Sequence, residues 1–230
     1  IFGVATDPAE AARALANVHV GSQQRESVQL LYAAHHMHGG DLPVLPDGLT
    51  VYKLAYRHHY LTWWVASNEA NYRWLHDHAL ALSEEWVRRG SASGTVHSSS
   101  QHLPYLAAAP RGMSADKDCY PDTIGVYKRP VWKEYEFATV HPPRGCAGAP
   151  IAFVGEAREA CRVTTPDGID WTASYLRYYE YKKRTMKREM RWVVKTRRET
   201  PAPRERVAKR QRNRNRNRKQ THPKATIKKI

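Results

Sequence analysis

A mainly α fold follows from two kinds of evidence in the sequence: sustained three- and four-residue apolar periods, and helix-capping residues set just ahead of them. The clearest period lies in Arg57 to Gly90, where Tyr72, Leu75, Ala79, Leu82 and Trp86 share one helical face. Ser67 or Asn68 can cap that helix, because a short polar side chain accepts from its first free N–H groups. Arg88, Arg89 and Gly90 suit its end: cations at the negative dipole end, then a residue that tolerates the left-handed turn. The organisation predicted around it is a compact helical core at 1–110 and an irregular insertion at 111–169. A basic helix at 170–195 returns to the core, and a disordered basic arm occupies 196–230.

The elements follow in order. Ile1 to Ala5 is an apolar start that a short strand would suit. Asp7 caps a first helix with Pro8 at its first position and Glu10 placed for a capping box, running to about Asn17. A second helix is predicted over Ser22–Met37, with Val28, Leu31, Tyr32 and His35 on one stripe. Glu26 shares a neighbouring stripe with Leu30, Ala33 and Met37. A carboxylate on a mostly apolar surface needs a partner or a function, because unpaired burial is costly. Residues 39–50 are a Gly/Pro-rich connection, and Tyr52 to Trp64 is an aromatic turn or short helix. After the organising helix come a small polar loop at 91–100 and a short helix at Gln101–Ala109. Pro110 to Asp170 holds seven of the fourteen prolines and all three cysteines, so no long element is predicted there beyond short strands near Thr123–Val131 and Ile151–Val154. Asp170 caps a last helix running to about Val193, with Trp171, Tyr175, Tyr178, Met186 and Met190 on its apolar side.

Charge narrows the function. At 41% hydrophobic and 26% charged residues the chain is an ordinary soluble composition, but a net charge of +15 points to a polyanionic partner, above all nucleic acid. No apolar run approaches the ~20 residues of a membrane span, so no membrane partner is expected. No secretory leader is read at 1–8, and a start at Ile1 suggests trimming or processing. Cys119, Cys146 and Cys161 lack paired-ligand spacing and read as thiols of a reducing compartment. His35, His36, His38, His76, His78, His97 and His102 do not have the spacing of a metal site; no metal and no cofactor are expected.

Particular motifs carry a resemblance. The stretches WVASNEANYRWL and ALSEEWVRRG, with Asp7-Pro8-Ala9-Glu10-Ala11-Ala12, Glu26-Ser27-Val28-Gln29-Leu30-Leu31 and Ala173-Ser174-Tyr175-Leu176-Arg177-Tyr178-Tyr179, resemble a group of small, mostly uncharacterised proteins of bacteriophages and large DNA viruses. The resemblance covers most of 1–110 and 170–192. It departs at His58-His59-Tyr60, where the group has Asn-His-Pro, and at Gln23-Gln24-Arg25, where the group is basic. More remotely, the layout is similar to phage endonuclease-V-type pyrimidine-dimer DNA glycosylases. That resemblance implies a small helical protein with a catalytic glutamate early in a helix, a histidine-containing turn beside it, and a basic aromatic C-terminal stretch. Those glycosylases also use a free N-terminal amine as nucleophile, forming a Schiff base with the sugar; the residues around Ile1 do not match theirs.

The candidate catalytic residues are therefore Glu26 with Arg25, and His59. One positioned carboxylate suits a reaction that stabilises an oxocarbenium-like sugar and moves protons at C1′ and C2′. The structural alternative is a Glu26 paired with a core Arg or His, and a His59 that is a hydrogen-bonded core residue. Candidate nucleic-acid contacts are Arg57, His58 and Trp64 around the turn. On the last helix they are Arg177, Lys182, Lys183, Arg184, Lys187, Arg188 and Arg191, interleaved with aromatics on which bases can stack. Arg212, Arg214, Arg216 and Arg218 are the candidates in the arm. The partner expected is DNA ahead of RNA, with other proteins of a large assembly as further candidates. The setting is intracellular, host cytoplasm or nucleus, with packaging in a virion as a variant. The rival to a glycosylase is a non-enzymatic nucleic-acid-binding protein of a virion, nucleoid or ribosome. Glu26 separates the two: accessible in a basic cleft for an enzyme, buried in an ion pair for a scaffold.

Overall fold

Asp7 begins the first helix as its sequence demands. In the computed structural model its Oδ1 accepts from Glu10 N at 2.7 Å, with Pro8 opening α1 (Pro8–Ala14). The structure describes residues 3–40, 42–90, 95–130, 156–166, 168–186 and 190–192. Residues 4–7 form bends, not the strand expected at the start, and Trp74 Nε1 donates to Thr6 O to hold them.

The second helix, α2 (Asn17–Met37), begins five residues earlier than its sequence suggests, with no side-chain cap of its own. Its start is satisfied from far along the chain: Asn17 N donates to Arg191 O at 2.8 Å, and Ala16 N donates to the Tyr179 hydroxyl. The free N–H groups of a helix start need acceptors, and here tertiary structure supplies them.

The organising helix starts at its expected Asn68 cap, and a short aromatic helix precedes it. α3 (Tyr60–Ser67) and α4 (Glu69–Arg88) are separated by Asn68, which is extended at φ −156° and ψ 161°. Asn68 caps α4 through Asn71 N at 2.9 Å, while its Nδ2 donates to Lys117 O and Cys119 O. The break thus ties the start of the insertion to the core. At the other end of α4 the basic pair is not merely a dipole complement. Arg89 is buried and donates to Glu85, to Asn17 Oδ1 at 3.0 Å, and to the carbonyls of Leu15 and Arg13. It clasps the α1–α2 link to the end of α4. Burial pushes the Glu85 carboxyl up, and hydrogen bonds from Arg88 and Arg89 more than offset this, holding it below the usual carboxylate range.

The core lies between α1, α2, α3 and α4, filled by Leu31, Tyr32, Trp63, Trp64, Tyr72, Leu75 and Leu82. Close approach of α2 to α4 requires Gly21, where a Cβ would stand 2.7 Å from the Trp86 ring. A 3₁₀ helix at Ser98–Leu106 covers this core in place of the predicted Gln101–Ala109 helix. In the insertion, β1 (Thr123–Ile124) and β2 (Tyr127–Lys128) are short strands where such strands were expected, and they pair as an antiparallel hairpin. Gly125 turns it at φ +54°, where a Cβ would run into the Met37 carbonyl. The insertion also carries an unforeseen short helix, α5 (Glu156–Cys161), and a second hairpin, β3 (Thr164–Thr165) with β4 (Gly168–Ile169). The strand expected at 151–154 lies outside the described residues.

Asp170 caps α6 (Trp171–Thr185) through Ala173 N at 2.8 Å, as expected, but the helix ends at Thr185, well short of Val193, and Met186 is extended. Tyr175 and Tyr179 are its buried aromatics, and Tyr178 is only half-buried. Past α6, Trp192 Nε1 donates to Ala14 O at 2.9 Å, bringing the chain back to the α1–α2 link. Among the described residues no helix is long and apolar enough to cross a membrane.

Candidate active site

One face of α2 carries His19, Ser22, Gln23, Glu26, Gln29 and Leu30, which recur at three- and four-residue steps. These residues floor a cleft of about 380 Å³. Tyr56, His59 and Leu61, from the turn into α3, form a wall, and Lys182 of α6 also lines the cleft. The cleft therefore brings together a carboxylate, two histidines and a lysine from three segments of the chain.

Glu26 is exposed within this cleft. Arg25, one residue earlier and about 100° round the helix, does not line it. Its guanidinium acts instead near His97, which burial and then Arg25 hold below the ordinary histidine range. The cation that shares the cleft with Glu26 is therefore Lys182, not Arg25. Lys182 is half-buried: burial lowers its pKa, and the Glu26 carboxylate opposes that shift without cancelling it. Lys182 Nζ also stands 5.5 Å from the centroid of the Tyr178 ring.

His59 caps α3, with Nδ1 accepting from Leu61 N at 3.2 Å. It is half-buried at the cleft, and burial brings its pKa down to about 4, so the ring is neutral at pH 7. His19 is buried, and its pKa also falls to about 4, from burial and then from Lys182. Ala16 N donates to the Tyr179 oxygen, and the Tyr179 hydroxyl is hydrogen-bonded to His19 Nδ1 at 2.8 Å. His59 was singled out in the sequence, though not as a helix cap; His19 carried no motif at all.

Tyr56 is the other residue the sequence did not single out. It is exposed at the cleft rim with φ +54°, a backbone region costly for a residue with a side chain. The turn is held by its own neighbours: Tyr56 O accepts from His59 N and Thr62 Oγ1, both at 2.8 Å, and Arg57 O accepts from Trp63 Nε1 at 2.9 Å. Arg57 and His58 are exposed beside it, linked at 2.9 Å.

Trp64 does not belong with them. It is fully buried and packs edge-on against Trp74 at 5.9 Å, a core residue that no base can reach. On α6, Arg177, Lys183 and Arg184 are exposed, and Arg191 is exposed beyond it. Lys183 lies 3.4 Å from Glu180. Lys187, Arg188, Arg212, Arg214, Arg216 and Arg218 lie outside the described residues.

The seven histidines weighed for a metal are spent on structure. His35 bonds the Tyr72 hydroxyl, His102 that of Tyr32, and His36, His38, His76 and His78 bond main-chain carbonyls. His97 caps the 3₁₀ helix through Ser99 N.

Comparison with known proteins adds one finding. The family model described as pyrimidine dimer DNA glycosylase matches residues 1–99 of the 230. That stretch includes the α2 floor of the cleft and its 56–61 wall, and ends before α6. No curated protein and no solved structure matches the chain.

Proposed function

We propose that the chain is a DNA glycosylase that acts on an extruded pyrimidine lesion, with Glu26 as its catalytic carboxylate. The observation that carries this reading is the place of Glu26: exposed in a cleft that Lys182, His19 and His59 also line, on a stretch similar to pyrimidine dimer DNA glycosylases. A scaffold would bury such a carboxylate in an ion pair, as this chain does with Glu85.

The cleft suits one extruded nucleotide. Its volume is at the lower end of the ~300–1,000 Å³ of small-molecule sites, far too small for a duplex. Glu26 would stabilise positive charge developing at C1′ and take up a proton there. His59, neutral at pH 7 and with Nδ1 taken by Leu61 N, can donate one hydrogen bond from Nε2 to the extruded base. Tyr56, at the rim, is placed to stack on a flanking base, the role once given to Trp64. Arg57, His58, Arg177, Lys183, Arg184 and Arg191 would hold phosphates, and Lys187, Arg188 and the arm arginines extend that set in sequence. No residue of this scheme needs a cofactor. The phage or large-virus setting, with work in a host cell and carriage in a virion, belongs to the same proposal.

The test is a duplex carrying one thymine dimer. Scission of the glycosidic bond, read as an alkali-labile site, is expected from the wild-type chain and to fall by about 10² or more in Glu26→Gln, with binding kept. The +15 charge favours a second reading, a non-enzymatic protein that holds DNA or RNA in an assembly. Tight, salt-sensitive binding with no scission by either protein would establish that reading instead.

A further inference from the structure

We propose that Lys182 supplies the amine nucleophile of this site, attacking C1′ of the extruded nucleotide while Glu26 handles the protons. The inference rests on the glycosylase reading above and goes beyond it, because α6 lies outside the stretch similar to known glycosylases. Three observations converge. Lys182 lines the same cleft as Glu26, although the two lie on different helices far apart in sequence. It is the one lysine among the cleft's lining residues, whereas its neighbours Lys183 and Arg184 are exposed. Its ammonium is destabilised by burial more than the Glu26 carboxylate restores it, which raises the share of neutral, nucleophilic amine.

The step balances without any oxidant or reductant. Neutral Nζ attacks C1′ as the bond from C1′ to the base breaks, and the base departs with the bonding pair and takes a proton from water. The attacking nitrogen passes a proton to the Glu26 carboxylate. Glu26 returns it to the ring oxygen as the C1′–O4′ bond opens, leaving an iminium between Nζ and C1′. Glu26, again a carboxylate, can then remove a C2′ proton as the C3′–O bond to phosphate breaks.

The experiment uses the full chain with the dimer-bearing duplex. Alkali-labile sites are scored without borohydride, and covalent adducts are scored with it, since borohydride reduces the iminium to a stable amine. The wild-type adduct, digested and mapped by mass spectrometry, is expected on the peptide containing Lys182. Lys182→Arg keeps the positive charge but cannot form an iminium, so the adduct is expected to fall to background while salt-sensitive DNA binding persists. An adduct on another amine, the N-terminal one included, would overturn the proposal while leaving the glycosylase reading intact. So would labile sites without an adduct, or an undiminished adduct in Lys182→Arg. Neither labile sites nor adduct in the wild type would overturn both.

Discussion

His59 holds two jobs at once, and they can be pulled apart. It caps α3 through Leu61 N and lines the cleft. Asn also caps helices well, whereas Ala does not. His59→Asn is therefore expected to keep the thermal stability of the wild type to within about 1 kcal/mol but to lose glycosidic scission tenfold or more. His59→Ala should lose both. Matched thermal melts and scission rates check this; a His59→Asn protein with full activity would leave His59 as a cap alone. His78 gives a second test at this scale. Its Nδ1 bonds Pro8 O, and its buried Nε2 has no acceptor in which to place a second proton. Burial lowers its pKa to about 4, from 6.5. Between these values the unfolded chain binds the proton and the folded chain does not, so stability falls as pH drops from 6.5 toward 4 and levels off below. Chemical unfolding at pH 7 and pH 4.5 should show this loss, and His78→Gln should reduce it. A pH-independent stability would contradict the assignment.

At the scale of elements, local chemistry was legible and long-range chemistry was not. Asp7, Asn68 and Asp170 announce helix starts because a capping side chain needs only its own neighbours. The start of α2 was missed because its acceptors, Tyr179 and Arg191, lie at the far end of the described chain. The short helix ahead of Asn68 was foreseen within Tyr52 to Trp64, but not its bounds, Tyr60–Ser67. α6 ends early at Met186, where apolar spacing in the sequence still reads as helix. Arg89 looked like a dipole complement because nothing local shows that Leu15 and Arg13 carbonyls close round it. That clasp carries a prediction. Arg89→Ala would leave Glu85 buried without its closest buried partner and strip three acceptors of their donor, so a loss of about 3–5 kcal/mol is expected in equilibrium unfolding. A loss below about 1 kcal/mol would show that Arg88 alone satisfies Glu85. Gly21→Ala should also destabilise, by roughly 1–3 kcal/mol, through the Trp86 ring.

For the molecule as a whole, the mainly helical architecture could be read from periodicity and caps, and Glu26 stood out as a candidate because it is a carboxylate among apolar neighbours. The cleft could not. It exists only where α2, the 56–61 turn and α6 meet, and residue type alone did not separate Trp64 in the core from Tyr56 on the rim. Net charge predicted a polyanion but not which cations face it. The exposed α6 cations make that part measurable. Binding to duplex DNA should weaken steeply with salt, and replacing both Lys183 and Arg184 by Gln should flatten the log–log slope by about 2. An unchanged slope would place the phosphate contacts elsewhere.

The central claim is that catalysis belongs to the cleft and not to the charge of α2. The most direct measurement compares single-turnover scission of a dimer-bearing duplex by wild-type chain, Glu26→Gln and Arg25→Gln, all at saturating protein. Glu26 lines the cleft and Arg25 does not. The account predicts a loss of about 10² or more for Glu26→Gln and a rate near wild type for Arg25→Gln. Equal losses in the two variants, or a Glu26→Gln protein as fast as the wild type, would contradict it.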